Sequence, residues 1–266
     1  VEGSNLDLIN EWIEDFGIDS DFVKVRVLGM FPSASDNQFI STDIIDACAN
    51  MPDPALSLLD PLIVSVDVAR SGSDLTVIRF RKGRDARSMK PIIWRGATDT
   101  MDIASKIAEI ARGSIHTLNE KPDAIFIDGG GVGGGVVDRC KQLGVEVIEV
   151  NGQSSASNPY CANMRASMWW NAREAMGNGI AIDPKDLALR EQLGSQEFGY
   201  QKSTDKILLI TKEQMKKMGI ASPDHADAFV QSFSYTVHRE APRALDGQSH
   251  ALNANMVDHG DGQVSH

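Results

Sequence analysis

The run Leu62-Ile63-Val64-Ser65-Val66-Asp67-Val68 carries aliphatic, mostly β-branched residues at nearly every position and shows no helical period. Such a run suits a central strand buried on both faces, with Asp67 near its end. Residues 75–80 and 91–94 read as two more strands. The connections are too short for crossover helices, so the three strands are expected to be antiparallel neighbours in hairpin order. Farther on, Ile103, Ile107, Ile110 and Ala111 recur at helical spacing within 102–118. Ala124-Ile125-Phe126-Ile127-Asp128 is then another buried strand that closes on an acid. Residues 136–143 read as helix, 145–150 as strand and 164–176 as a longer helix bearing Trp169 and Trp170. Residues 198–201 and 207–210 read as a hairpin turning at Ser203-Thr204-Asp205. A last helix covers 222–237, with Ser222 as its cap and Pro223 at its first position. Strands alternating with helices predict an α/β fold with a mixed sheet: three antiparallel strands, then parallel strands, flanked by helices.

Upstream of this region the pattern differs. Leu6, Leu8, Ile9, Trp12, Ile13 and Phe16 fall at helical spacing and predict a short amphipathic helix that Gly17 can end. Residues 22–31 alternate loosely, 32–38 are turn-like, and Thr42 opens a second short helix running through Cys48. Residues 1–60 therefore read as a connector, 61–238 as the main domain, and 239–266, polar and aperiodic, as a mobile tail.

With 266 residues and 42% apolar content, the chain has enough material for a sizeable core. Its three cysteines, Cys48, Cys140 and Cys161, are widely spaced and fit neither a disulfide framework nor a zinc site. Thiols of this kind, with no run of eighteen apolar residues and no basic-then-apolar N-terminus, predict a cytoplasmic protein that is neither secreted nor membrane-bound. The net charge of −11 argues on its face against a nucleic-acid partner. The average conceals a division: residues 1–60 hold 2 basic and 12 acidic groups, whereas residues 61–238 hold 22 and 21. Within that balanced middle lies a dense basic stretch, Arg79, Arg81, Lys82, Arg84, Arg87, Lys90 and Arg95, interrupted only by Asp85.

Four carboxylates stand out by position. Asp67 and Asp128 end buried strands, and Asp224 and Asp227 lie three apart at the start of the last helix, on one face. A lone acid at a strand end is commonly a turn former, but strand ends and a helix start can converge on one crevice. Hard oxygen donors without His or Cys suit Mg²⁺ or Mn²⁺, and a two-ion phosphodiester hydrolase needs such a set. The same crowding repels unless cations are present. His225, between the two helix acids, reads as solvent-facing or as a water or phosphate contact.

Other motifs carry competing readings. Gly129-Gly130-Gly131-Val132-Gly133-Gly134 satisfies G-x-G-x-x-G, with Glu149 about twenty residues on, which offers a nucleotide-binding alternative. Against it, three strands and a helix precede the glycines. No G-x-x-x-x-G-K-[ST] occurs, so no P-loop is encoded here. The basic stretch is either a solvated hairpin face or a DNA contact made by Arg79, Arg81, Lys82, Arg84, Arg87 and Lys90. Lys202, Lys206, Lys212, Lys216 and Lys217 offer a second contact region. Trp169 and Trp170 can stack on bases, although one of two adjacent tryptophans on a helix is commonly a core residue.

Taken together, these residues resemble the nuclease domain of the large terminase subunit of tailed bacteriophages. The resemblance rests on Val66-Asp67-Val68-Ala69 with Gly72-Ser73-Asp74, on Ile127-Asp128 with Gly131 and Gly133-Gly134-Gly135-Val136-Val137-Asp138, and on Ser222-Pro223-Asp224-His225-Ala226-Asp227-Ala228. Residues 19–32 resemble the connector between motor and nuclease. The resemblance covers most of residues 8–237. It implies a ribonuclease H-like fold and a DNA endonuclease that cuts concatemeric viral genomes at the start and end of head filling, with two Mg²⁺ or Mn²⁺ ions. It carries metal-ligand roles onto Asp67, Asp128 and Asp224, with Asp227 as a candidate fourth ligand. Many relatives have His-Asp-Asp where this chain has Ser222-Pro223-Asp224, which leaves Asp224 and Asp227 both open as the principal third ligand. The implied partners are double-stranded DNA, an ATPase motor domain absent from this chain, the portal protein and the small terminase subunit, in the cytoplasm of the bacterial host. An inert module that binds motor or portal is the remaining alternative.

Overall fold

The computed structural model of the chain describes residues 9, 10, 13, 37–69, 74–96, 99–113 and 120–239. The expected alternation over 22–31, the turn over 32–36 and the tail beyond Arg239 lie outside them, as does most of the amphipathic helix over 6–16. Residues 9, 10 and 13 are helical. In chain order the elements are α1 (Thr42–Asn50), β1 (Leu62–Asp67), β2 (Leu75–Lys82), β3 (Asp85–Ala86), β4 (Ile92–Arg95), α2 (Thr100–Ala111), β5 (Ala124–Asp128) and α3 (Gly133–Gln142). There follow β6 (Ile148–Val150), α4 (Met164–Gly177), β7 (Ala181–Ile182), α5 (Leu187–Ser195), β8 (Phe198–Tyr200), β9 (Ile207–Leu209), α6 (Lys212–Lys217) and α7 (Asp224–Gln231).

Seven strands form one mixed sheet in the order β6-β5-β1-β2-β3-β7, with β4 also paired to β2. β1 is antiparallel to β2 and parallel to β5, and β4 is antiparallel to β2. The expected arrangement of antiparallel strands followed by parallel ones is therefore present. All of β1 is buried, because helices cover both of its faces. Leu62, Val64 and Val66 pack with Ile103 and Ile107 of α2 and Val136 and Val137 of α3. Ile63, on the opposite face by the two-residue period of a strand, packs with Trp169 of α4 and Phe229 and Val230 of α7. Ile45, Cys48 and Ala49 of α1 belong to that second core, so the packing carries on from residues 37–60 into the sheet. All three cysteines are buried and free.

Several boundaries differ from the sequence reading for local reasons. α2 stops at Ala111, where Gly113 adopts a positive φ of 90°. α3 begins inside the glycine run, at Gly133, where a Cβ would collide with the backbone carbonyl of Asp128. That glycine lets the helix start against the strand it follows. α7 ends at Gln231 rather than at residue 237. Ser222 does not cap it: the N-cap position is Pro223, and the Ser222 hydroxyl donates to Asp224 instead. Proline has no side-chain acceptor, so the amides of His225 and Ala226 are satisfied by Oε1 of Gln192 on α5, at 2.7 and 3.1 Å. α5, α6, β3 and β7 were not anticipated. β3 and β7 are two residues each, α6 is six, and α5 buries only Leu189 and Leu193, which hides them, although Thr211 and Gln214 make a reciprocal capping box at the start of α6.

Past α7 the chain runs to Arg239, whose guanidinium binds Asp123 at 2.6 and 3.0 Å and pairs with Glu120. Glu120 also accepts from Lys82 of β2 at 2.6 Å. Burial pushes the Glu120 carboxyl up, but the bonds and charges of Lys82 and Arg239 outweigh it and hold the group below its ordinary value of 4.5. A carboxyl with a depressed folded pKa contributes stability above its unfolded pKa and loses it as pH falls through the folded value. Urea titrations from pH 6 downward should therefore show a steeper fall in unfolding midpoint below pH 4.5 for the native chain than for Glu120→Gln. Identical slopes would mean that this three-way tie adds nothing.

Candidate metal centre at the sheet edge

β1 and β5 are parallel and in register, Val66 beside Ile127, so Asp67 and Asp128 leave the same edge of the sheet side by side. Adjacent strands lie about 4.8 Å apart, which brings the two acids together without any loop rearrangement. Asp67 belongs to the same face as Ile63, and Asp128 to the same face as Phe126; that face is covered by α4 and α7. α7 brings in the other two acids. Asp224 accepts from the amide of Leu75, the first residue of β2, at 2.7 Å and from the Ser222 hydroxyl at 2.5 Å. Asp227, one turn on, accepts from Nε and Nη2 of Arg165 at 3.3 and 3.1 Å and from Nε1 of Trp169 at 3.1 Å. Gln231, oriented to satisfy both groups, donates to Val66 O at 3.1 Å and accepts from Asp128 N at 2.7 Å. The far end of α7 is thereby stitched between the two acid-bearing strands.

The centre of the cluster holds a lysine that the sequence suggests only as part of a second DNA-contact region. Nζ of Lys212, the first residue of α6, lies 3.3 Å from Asp67 Oδ2, 3.3 Å from Asp224 Oδ1 and 3.2 Å from Asp227 Oδ2. Its own burial works against the charge, yet the three carboxylates hold its pKa above the usual lysine value. Asp67 shows the opposite imbalance. Burial pushes its carboxyl up to about 7, Lys212 opposes this, and the charges of Asp227, Asp128 and Asp224 add to it. Asp227 stays below its ordinary value despite burial, through Arg165, Lys212 and the Trp169 bond.

The other predicted site residues occupy varied places. His225 does not face solvent. It is buried against Arg79, Nδ1 to Nη2 2.9 Å, and burial with the Arg79 charge lowers its pKa. An arginine can only donate, so Nδ1 is the acceptor of a neutral ring. Arg79 also pairs with Asp186 at 2.7 Å. Arg81 reaches Ser232 and stacks over Phe233, with Cζ 4.1 Å from the ring centroid. Both arginines point inward because alternate residues of β2 face α7, which corrects the reading of Arg79 and Arg81 as part of a solvated hairpin face or a DNA contact. Lys82 binds Glu120, Arg84 the carbonyls of Asn178 and Gly179, Arg87 binds Asp53 and the Met51 carbonyl, and Lys90 pairs with Asp183. Lys202 is exposed and Lys206 half-buried around the β8–β9 turn, with no ion pair among the described residues. Trp169 is fully buried, while Trp170 is half-buried beside Tyr160 and Arg173. Within the glycine turn, a Cβ at Gly129 would collide with the Glu149 carboxylate, so the two residues named by the nucleotide motif pack on each other.

Among the described residues, no three His, Cys, Asp or Glu side chains are drawn close enough to hold an ion as they stand. The donor set nevertheless fits a divalent cation in kind. Asp67, Asp224 and Asp227 share Lys212, Asp227 also pairs with Arg165, and burial, with the charges of Asp227, Asp128 and Asp224 added to it, holds Asp67 toward protonation. Oxygen-only donors of this sort suit Mg²⁺ or Mn²⁺ rather than zinc.

No protein-family model matches the sequence, and no curated protein matches it. Solved structures do match in fold. A variant of the nuclease domain of the large terminase subunit gp2 of bacterial virus Sf6, with manganese and beta-thujaplicinol, is 18% identical over 74% of this chain and 98% of that one, with a TM-score of 0.60. The large terminase nuclease of thermophilic phage G20c with bound magnesium is 14% identical over 76% of this chain and 98% of that one, with a TM-score of 0.54. The HK97 bacteriophage large terminase is 14% identical over 87% of this chain and 50% of that one, with a TM-score of 0.52. The chain has the fold of phage terminase nuclease domains.

Two variants check the electrostatics of the cluster in metal-free protein. A carboxyl whose folded pKa is raised contributes stability below its unfolded pKa and loses it as pH climbs toward the folded value, here from about 4 to about 7 for Asp67. Asp67→Asn escapes that loss and should unfold at higher urea than the native chain at pH 7.5 in EDTA, with the difference shrinking toward pH 4. Lys212→Met removes the central cation and should lower stability in EDTA by about 1–2 kcal/mol, allowing for its partial exposure to solvent. Added Mn²⁺ should raise the melting temperature of the Lys212 variant more than that of the native chain.

Proposed function

We propose that this chain is the metal-dependent DNA endonuclease of a phage genome-packaging terminase, cutting concatemeric DNA by two-ion phosphodiester hydrolysis. The observation that carries the reading is the convergence of Asp67, Asp128, Asp224 and Asp227 on one sheet edge, in a fold shared with terminase nuclease domains. Asp67, Asp128 and Asp224 are assigned to hold Mg²⁺ or Mn²⁺. Asp227 is the weaker candidate, since Arg165 and Trp169 already engage its Oδ1. The ions would supply an activated water as nucleophile and charge stabilisation for the departing 3′ oxygen.

The chain's own residues prepare that chemistry. Leu75 N fixes one Asp224 oxygen, so the carboxylate is oriented by main chain rather than by a mobile side chain. Gln192 caps the helix that carries Asp224 and Asp227, and Arg79 with Asp186 anchors His225 between them. Lys212 neutralises part of the cluster and competes for the oxygens that a cation would take. A DNA backbone approaching four acids needs positive charge nearby, for which the exposed lysines of the β8–β9 turn and α6 are available.

Residues 61–238 are proposed as the nuclease unit, 1–60 as the link to an ATPase motor and 239–266 as a tail. The chain spans half the length of the HK97 large terminase it matches, and it contains no P-loop signature. Motor, portal and small terminase subunit are the proposed protein partners, in the host cytoplasm. No helix among the described residues is long and apolar enough to cross a membrane.

Plasmid nicking at low salt tests the reading. Cutting should require Mn²⁺ or Mg²⁺, vanish in EDTA, and fall by at least roughly a hundredfold in Asp67→Ala and Asp128→Ala that remain folded. Undiminished cutting by both variants would place the active centre elsewhere.

A further inference from the structure

Seven basic residues lie between positions 79 and 95, and six of them are held by ion pairs, hydrogen bonds or burial, as described above. Arg95 differs. It is exposed and makes no ion pair or hydrogen bond with the described residues, although its positive charge reaches His225. The strand register fixes where it stands. Arg95 is the last residue of β4 and pairs with Leu75, the residue whose amide holds Asp224 Oδ2. Counting along β2, Leu75 and Val77 share a face with Arg79, which touches His225 of α7. Their partners Arg95 and Ile93 therefore project from that same face, while Trp94 and Ile92 pack into the opposite core. Asp67 pairs with Val77, so it lies on this face as well, two strands from Arg95 and two residues short of it along the edge. With strands about 4.8 Å apart and about 3.3 Å per residue, the two backbones stand roughly 12 Å apart.

Resting on the nuclease reading above, we propose that Arg95 is the phosphate anchor of this site, a guanidinium that binds the DNA backbone one or two phosphates away from the bond being cut. The geometry suits the task. An arginine reaches several ångströms from its Cα, and its planar fork binds a phosphate in two-point fashion. The acids repel the phosphodiester backbone, so a fixed cation on their own face and edge selects the approach that presents one particular phosphate to them. Arg79, Arg81 and Lys82 cannot serve without breaking their internal bonds, which leaves Arg95 as the cation of the stretch that is free to meet DNA at the acid edge.

The test uses the full chain and a fluorescent 30-base-pair duplex. Anisotropy titrations in Ca²⁺ over a range of salt concentrations would be paired with Mn²⁺-dependent cleavage kinetics. Arg95→Ala should reduce the slope of log affinity against log salt by about 0.9, the equivalent of one phosphate contact, and raise KM several-fold. Arg95→Lys should recover most of the affinity, and Arg95→Glu should bind more weakly than alanine. Melting temperature should not move, because the side chain has no hydrogen-bond or ion-pair partner among the described residues. An unchanged slope and KM in Arg95→Ala, in a protein whose native form cuts DNA, would overturn the anchor and leave the nuclease reading intact. A native chain that neither cuts with Mn²⁺ nor binds DNA in a salt-dependent way would overturn both.

Discussion

Four carboxylates gathered at one edge of a sheet cannot all be ionised without cations among them, and this constraint organises the surrounding structure. Asp67 and Asp128 are neighbours because β1 and β5 are parallel and in register, so their separation is set by the sheet itself. Asp224 and Asp227 are added by a helix that must lie against the same edge. The Lys212 ammonium bridges Asp67, Asp224 and Asp227, and Arg165 takes the other oxygen of Asp227. Burial, with the charges of Asp227, Asp128 and Asp224 added to it, outweighs Lys212 and displaces the Asp67 carboxyl upward. Carboxylates buried and crowded in this way are under an electrostatic tension that a neighbouring cation eases.

Holding a helix start against that repulsion requires anchors, and they come from outside the helix. α7 opens at a proline that offers no capping group, and Gln192 of α5 supplies the missing acceptor. Arg79 and Asp186 seize His225 from the side, Leu75 N takes Asp224 from the front, and Gln231 ties the last turn between β1 and β5. Each contact is buried or nearly so, where a lost partner costs more than at the surface. The basic residues of β2 are used in the same way. Arg79 and Arg81 are consumed in fastening α7 to the sheet, which explains why a strand central to the fold carries so much positive charge.

The sheet and its acids were legible in the sequence because they depend on local signals. Buried strands announce themselves by β-branched runs, and Asp67 and Asp128 sit where those runs stop. The pair at Asp224 and Asp227 was legible from helical spacing. Lys212 was not, because it sits on a helix of one and a half turns and meets residues that lie far away in sequence, as well as Asp224 and Asp227. The only local sign was the capping box from Thr211 to Gln214, which marks a helix start but says nothing of what its first residue touches. The inward turn of Arg79 and the burial of His225 were hidden for a related reason. Alternation along a strand predicts which residues share a face, but not that α7 covers the face that the arginines occupy.

Charge balance shows the same limit from the other side. Net charge over residues 61–238 is close to zero, and the local density between 79 and 95 looks like a nucleic-acid surface when counted along the chain. Counted in space, most of that charge is already neutralised by Asp186, Glu120, Asp53 and Asp183, or satisfied by carbonyls. What remains for a partner is small in number, and its value lies in placement. On the proposed reading, a single exposed guanidinium on the face and edge that carry the acids would steer a phosphate more than several cations locked into the interior, because exposed charge acts over about a Debye length. Net charge, −11 for this chain, therefore says little about any one face: most of its basic residues between 79 and 95 are spent on holding the structure together, and few remain free.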